Sequence, residues 1–376
     1  MPITESRLEL RFVGSGSEYF RIWIVNLLLT IITLSLYYPF AKVRRMRYFH
    51  GATEVGGHAL SFHANPWKLL RGYLLVGALL AAYSLTLRLA PTMALVAVAL
   101  MALLWPALWH SSLRFRMANT GWRGLRFRFT GSRLDAYKVM LPWFVLAALF
   151  FAVAPSADAK PGVMPSVWFW LVWGLSLLLW PALFWLMKRY QHSHYALAGE
   201  RTKFTVTLGQ LYVMGLRIGG VWLAAVVVLG VGMGIVAGLG ALGGLRTGAL
   251  GAGAIVAMAL VAILGFVVFQ ALLWPYLTSR LQNLYWNDTS SQHLYFQSRL
   301  AFRPLAWLTL KNWLLIILTL GLYWPFARIE LARLRLEAMS VQCTLDIDAL
   351  VNDAAAIDEG AAGDAAGDLL GIDLGL

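Results

Sequence analysis

Five times along the chain the same four-residue signature returns, a Leu, any residue, Tyr or Trp, then Pro, at Pro39, Pro106, Pro181, Pro275 and Pro325. Counting forward from each proline without gaps, position +8 holds Arg47, Arg114, Arg189, Asn283 and Arg333. Position +14 holds Thr53, Thr120, Tyr195, Thr289 and Met339, and position +23 holds Phe62, Phe129, Phe204, Ser298 and Asp348. A spacing kept over that length is the mark of a repeated structural unit, so the chain is expected to fold as pseudo-repeats.

The medium around those repeats follows from composition. Apolar residues make up 60% of the chain and charged residues 13%, against about 45–50% and about 25% in ordinary soluble domains. This reads as an integral membrane protein. Eight of the 18 acids lie in residues 346–376, so ten acids face 31 basic residues in the rest. In a soluble chain that excess would suit nucleic acid. Here the basic residues border apolar stretches, and anionic membrane lipids are the expected partner, with no nucleic acid.

Three apolar stretches, 69–109, 139–187 and 211–275, separate successive proline motifs. Each is about twice the ~20 residues a helix needs to cross a bilayer. The expected fold is therefore an all-α polytopic bundle of six full spans in three hairpins. Turns are expected near Arg88 and Pro91, over 155–165, and over the glycines from Gly238 to Gly253. These turns hold few charges, whereas basic residues crowd around each proline motif, which places the motifs on the cytoplasmic side by the positive-inside rule. The stretches 20–40 and 305–326 are single, with basic residues at both ends. Both re-entry and full crossing stay open for them. Leu10-Arg11-Phe12-Val13-Gly14-Ser15 resembles Phe127-Arg128-Phe129-Thr130-Gly131-Ser132, which favours re-entry of the first.

Short alternating runs, 59–63, 125–130, 203–207 and 294–297, read as strands. Because a strand edge needs a partner, the repeats are expected to share a small cytoplasmic sheet. Residues 1–348 form the membrane domain of this reading, and 349–376, rich in Ala, Gly and Asp, form a disordered acidic tail.

The chemistry is sparse. Tyr38-Pro39, Trp105-Pro106, Trp180-Pro181, Trp274-Pro275 and Trp324-Pro325 suit an interface device, since Trp and Tyr sit at headgroup level and Pro ends or kinks a helix. Arg44, Arg47, Arg114, Arg189 and Arg333 are candidate contacts for headgroups or anionic ligands, because guanidinium binds phosphate bidentately. The competing reading is that such flanking arginines only set topology. Asn26, Asn312 and Gln270 are polar groups within apolar stretches, with Lys311 beside them; buried amides there usually join helices. Gly230, Gly234 and Gly238 lie four apart, which suits close helix packing or self-association.

The absences weigh as much. No Asp or Glu falls in an expected span, which speaks against proton- or cation-coupled transport. Cys343 is the only cysteine, so no internal disulfide forms. The seven histidines show no convergent ligand pattern, and no phosphate loop, nucleophile elbow or paired-cysteine motif is present, so neither a cofactor nor a metal site is expected.

The run Glu18-Tyr19-Phe20-Arg21-Ile22-Trp23-Ile24-Val25-Asn26, continuing to Tyr37-Tyr38-Pro39-Phe40-Ala41-Lys42-Val43-Arg44-Arg45, resembles the YjgN family of bacterial inner-membrane proteins. So does Thr319-Leu320-Gly321-Leu322-Tyr323-Trp324-Pro325-Phe326. The resemblance extends to about residue 348. Ser35 stands where the family pattern favours Gly, and Ala52 where it favours Asn. What the resemblance implies is a multi-pass inner-membrane protein of unassigned function, with no catalytic residue to carry over. The leading functional reading is an uncoupled transporter or channel for lipid or solute. A structural or assembly factor of the envelope, and less readily a membrane enzyme on a lipid-linked substrate, remain as alternatives.

Overall fold

The computed structural model describes residues 6–89, 94–154, 164–244 and 252–344, together with 348 and 351. Of the expected far turns, residues 90–93, 155–163 and 245–251 fall outside the described residues, as does the acidic tail apart from Val351; Arg88 lies in helix, and the helix before the third turn runs on through Gly238 to Gly244. In chain order the elements are β1 (Ser6–Phe12), α1 (Gly16–Ile32), α2 (Tyr38–Gly51), β2 (Thr53–Val55), β3 (His58–Phe62), α3 (Pro66–Leu89), α4 (Ala94–Ala118), β4 (Thr120–Trp122), β5 (Leu125–Arg126) and β6 (Arg128–Phe129). They continue with α5 (Arg133–Val153), α6 (Val167–His192), β7 (Tyr195–Leu197), β8 (Glu200–Arg201), β9 (Lys203–Phe204), α7 (Leu208–Gly244), α8 (Ala252–Asn287), β10 (Thr289–Ser290), β11 (Leu294–Ser298), α9 (Phe302–Leu318), α10 (Trp324–Glu337) and β12 (Met339–Cys343).

Helix dominates, but the sheet is larger than the sequence led us to expect. Nine strands run in the order β5-β4-β3-β2-β1-β12-β11-β10-β9, and three more in the order β6-β7-β8, with every pairing antiparallel. Only Phe127 separates β5 from β6, and only Thr202 separates β8 from β9. At both breaks a backbone bond bridges the gap, Phe127 N–H to Thr120 O at 3.0 Å and Thr202 N–H to Tyr195 O at 2.9 Å. The strands can therefore be followed round a complete circle, in which β5 runs on into β6 and β8 into β9, each of these four strands pairing with one neighbour.

The closing pair joins the two ends of the chain. Ser6 faces Cys343 and Glu9 faces Ser340 across β1 and β12, while β1 pairs on its other side with β2, Leu10 opposite Val55. Five backbone bonds of 2.9 Å mark the same junction around the circle: His63 N–H to Asn119 O, Thr130 to His194, Thr205 to Asp288, Arg299 to Ala338, and Val13 to Ala52. Four of the donors stand at +24 from their proline and all five acceptors at +13. The fifth donor, Val13, comes from the N-terminal strand. Phe12 accordingly fills the place that Phe62, Phe129 and Phe204 hold elsewhere, buried under the helices. Forward counting had put Asp348 there.

Helices follow the same circle. Each consecutive pair from α1 to α10 is in contact, and α10 packs against α1. Every hairpin starts and ends in the sheet: β3 and β4 flank α3 and α4 and pair with each other, Leu60 opposite Trp122. Three helices are long and apolar enough to cross a membrane among the described residues, over Pro66–Leu85, Val167–His192 and Leu208–Gly238. Their apolar side chains remain largely exposed, as a lipid-facing surface requires.

The terminal stretches form shorter hairpins. After α1 the chain reverses within five residues and returns as α2; after α9 it does the same into α10. Thr33 and Thr319 perform the same task in each turn. Their hydroxyls donate to Leu29 O and Leu315 O, at 2.7 and 2.6 Å, and accept from the N–H of Tyr37 and Tyr323. Two residues on, Ser35 has φ 72° and Gly321 has φ 92°. That left-handed backbone is free of cost for glycine and strained for serine.

Candidate functional site

The proline motif has one consistent effect on packing. Pro39, Pro106, Pro275 and Pro325 are fully buried, while the aromatic just before each of the first three, like Trp180, is 43–59% exposed. Pro39 and Pro325 sit in the first turn of α2 and α10, where the missing N–H is not needed. Pro106, Pro181 and Pro275 lie inside α4, α6 and α8. Trp324 differs from the other aromatics, being half-buried against Trp23 and beneath the Arg328 guanidinium.

Beyond the prolines, the following turns of helix are held to the sheet by the residues at +8 and +14. Arg47 Nη2 donates to Ala64 O at 2.9 Å, Asn283 Nδ2 to Leu300 O at 3.0 Å, and Arg333 Nη2 to Gly14 O at 2.9 Å. In the third unit Trp185 Nε1 takes over, donating to Val206 O at 2.7 Å, and Arg189 stacks on the Trp185 ring instead. These acceptors occupy the loop after each second strand, so the +8 side chain clamps a helix to the neighbouring chain end. Thr53, Thr120 and Thr289 at +14 each return their hydroxyl to the carbonyl four residues back, at 2.7, 2.8 and 2.6 Å, satisfying a helix-end acceptor.

The arginines singled out from sequence, Arg44, Arg47, Arg114, Arg189 and Arg333, are all exposed; Arg47 and Arg333 spend donors on backbone, and Arg189 lies on an indole. The structure brings a different basic set within electrostatic reach of one another, on α2, α4, α6 and α10. A cavity of about 310 Å³ between α2 and α10 is lined by Arg45, Arg328 and Arg335, with Tyr19 and His50 beside them. Arg335 is positioned by Gln282 of α8: its Nε donates to Gln282 Oε1 at 2.8 Å, and Gln282 Nε2 donates back to Arg335 O at 3.0 Å. Farther round, the Arg116 charge reaches both Lys42 on α2 and Lys188 on α6. Lys188 donates to Gln191 Oε1 and lies over the rings of Phe184 and Tyr285.

Six basic side chains, Lys42, Arg45, Arg116, Lys188, Arg328 and Arg335, therefore form a chain of mutual repulsion. Among the described residues none of the six makes an ion pair with a carboxylate. Burial, then Arg116 and Arg45, holds the Lys42 ammonium below its usual range. Burial, then Arg328, does the same to Arg335. Such a cluster raises local anion concentration. The sequence hid it because these residues stand at +3, +6, +7 and +10, positions that other units fill with Trp109, Ser112, Leu113 or Tyr285.

The polar groups of the apolar stretches divide. Asn26 and Asn312 are both buried, at 8% and 5% exposure, and the Oδ1 of each lacks a hydrogen-bond partner. Gln270 lies within α8, with its side chain outside the described residues. Lys311 is neutralised by Glu330, Nζ to Oε1 at 2.8 Å, with the Tyr323 hydroxyl also bonded to that carboxylate. On α7, Gly230, Gly234 and Gly238 face open space. The close approach of α7 to α8 is made instead at Gly232 and Gly265, against Val261 and Leu229. No group of three or more His, Cys, Asp or Glu able to hold a metal occurs among the described residues.

The family model described as a bacterial protein of unknown function (DUF898) matches residues 7–369. The chain belongs to that family. Similar curated proteins are the inner membrane protein YjgN of Salmonella typhimurium, 29% identical over 147 residues, and that of Escherichia coli strain K12, 47% identical over 51 residues. The first alignment covers 38% of this chain and 37% of the relative, the second 14% and 13%. This agrees with the resemblance carried by the Glu18–Arg45 run. No solved structure matches the chain.

Proposed function

We propose that the protein is a non-enzymatic, multi-pass protein of the bacterial inner membrane whose ring of helices surrounds an uncoupled path for lipid or solute. One observation carries the reading: the circle of helices and the circle of strands both close, around facing helices lined with unneutralised basic groups. In this account α3 to α8 cross the bilayer as three hairpins. The α1–α2 and α9–α10 hairpins dip into it and return. This is supported by the helical hairpins leaving from and returning to strands of the two sheets, and by three helices meeting the length and hydropathy of a span. The sheet and the basic helix ends face the cytoplasm, following the positive-inside rule. Arg44, exposed on α2, would meet anionic headgroups.

Reconstitution into liposomes tests this directly. Protein-dependent movement of fluorescent lipid or of a small anion, without a proton or sodium gradient, is the expected result. Liposomes that stay tight to both would refute it. A second reading, an assembly factor, is favoured by one feature: Gly230, Gly234 and Gly238 lie exposed on α7 with room for a partner helix. Replacing Gly234 by Leu should then remove a co-purifying partner or a dimer.

A further inference from the structure

We infer that the cavity between α2 and α10 is a binding site for a phosphate group. Arg45 reaches it from α2, while Arg328 and Arg335 reach it from the same face of α10, about two turns apart. Three guanidiniums around about 310 Å³ make a concave donor array, and guanidinium forks match the oxygens of a phosphate better than those of a halide. Two of the three are pre-positioned. Arg335 is fixed through its Nε by Gln282, which leaves its terminal nitrogens unengaged, and Arg328 lies over the Trp324 ring at 4.9 Å.

Charge balance points the same way. Lys42 and Arg116 lie farther round the same inward face, and among the described residues no carboxylate pairs with any of these five groups. Of the acids on the neighbouring helices, Glu18 accepts from the Tyr48 hydroxyl, Glu330 holds Lys311, and Glu337, at the end of α10, does not line the cavity. Arg328 and Arg335 are solvent-exposed, so an anion can reach this cluster of cations and offset its mutual repulsion. The apolar side of the same cavity, Met46, Phe49 and Leu331, suits a ligand that continues into acyl chain as well as one that does not. The shared chemistry is the phosphate, whether it arrives on a lipid headgroup or free.

The inference rests on the ring interior being open to ligand, as proposed above, but not on anything crossing the bilayer. Its test is a binding titration of the delipidated full-length protein in detergent, read by thermal shift and by native mass spectrometry. The probes are inorganic phosphate, phosphatidylglycerol and phosphatidylcholine. Binding of phosphatidylglycerol alone would assign the lipid source, and binding of inorganic phosphate as well would assign a site for the free anion. In either case Arg45→Gln and Arg328→Gln should each weaken binding by about tenfold. Arg126→Gln, which removes the same charge from an exposed position on β5, should leave it within about twofold. Equal affinity in the Arg45→Gln and Arg126→Gln proteins, or no binding of inorganic phosphate and of phosphatidylglycerol, overturns the site. Flux that fails in liposomes while this binding persists would sink only the passage reading.

Discussion

Removing the Arg333 side chain tests the role assigned to the +8 position where it matters most, at the closure of the circle. Arg333 Nη2 donates to Gly14 O at 2.9 Å, and its Nε donates to Phe12 O at 3.4 Å, at the long edge of a hydrogen bond. Gly14 is buried, so Arg333→Ala leaves its carbonyl without a donor. Leaving such an acceptor unmet costs about 1–3 kcal/mol, and the weaker second bond adds little. A loss of about 2 kcal/mol shifts the opening equilibrium of β1 roughly 30-fold. Native-state proteolysis in detergent reads that population when reclosing is faster than cleavage. Arg333→Ala should therefore be cut within the first fifteen residues about 30 times faster than the parent, with Arg333→Lys in between. Arg44→Ala, whose side chain is exposed, should stay within about 0.5 kcal/mol. Equal cleavage of the Arg333→Ala and parent proteins would refute the clamp.

Three further outcomes follow from the same geometry. Ser35→Gly should raise stability by about 1 kcal/mol, since it relieves a left-handed φ, and Gly321→Ser should lower it by a similar amount; reversible unfolding in mixed micelles compares the pair. Thr289 is fully buried, donates to Tyr285 O and bonds His192 Nδ1, so Thr289→Val should cost about 2 kcal/mol and exceed the effect of Thr53→Val in the same assay. His50 is held below its usual pKa of 6.5 by burial. The unfolded chain therefore takes up a proton first as pH falls. The stability His50 contributes is complete above about pH 6.5 and declines below it. His50→Gln should flatten that part of a stability-versus-pH curve.

Much of this architecture was legible because the repeated spacing is carried by residues that serve the backbone. Thr53, Thr120 and Thr289 each satisfy a helix-end carbonyl, and Phe62 and Phe129 are each buried in a hydrophobic cluster. The likeness of Leu10–Ser15 to Phe127–Ser132 already hinted that the N-terminal strand belongs to a repeat. Its partner could not be read forward along the chain, since β12 pairs with residues more than 330 positions earlier. The arginines at +8 were conspicuous for the same periodicity, and that is why they point to structure; the acceptor of Arg47 is a backbone carbonyl, which leaves no trace in residue type. The inward basic cluster is the opposite case. Lys42, Arg116 and Lys188 come from different positions of different units, so only the closed circle brings them together.

That circle is the claim on which the rest stands, and one cross-link measures it. Arg7 and Gln342 face each other across β1 and β12. With Cys343, which is buried, replaced by Ser, the double variant Arg7→Cys and Gln342→Cys should form a disulfide under mild oxidation of the detergent-solubilised protein. Cutting the chain between α6 and α7 should then leave the two fragments joined until a reductant is added. The pair Arg7→Cys and Lys203→Cys, with Lys203 on the distant strand β9, should release them at once. Fragments that separate without reductant in the first pair, or join equally in the second, would contradict the closed ring.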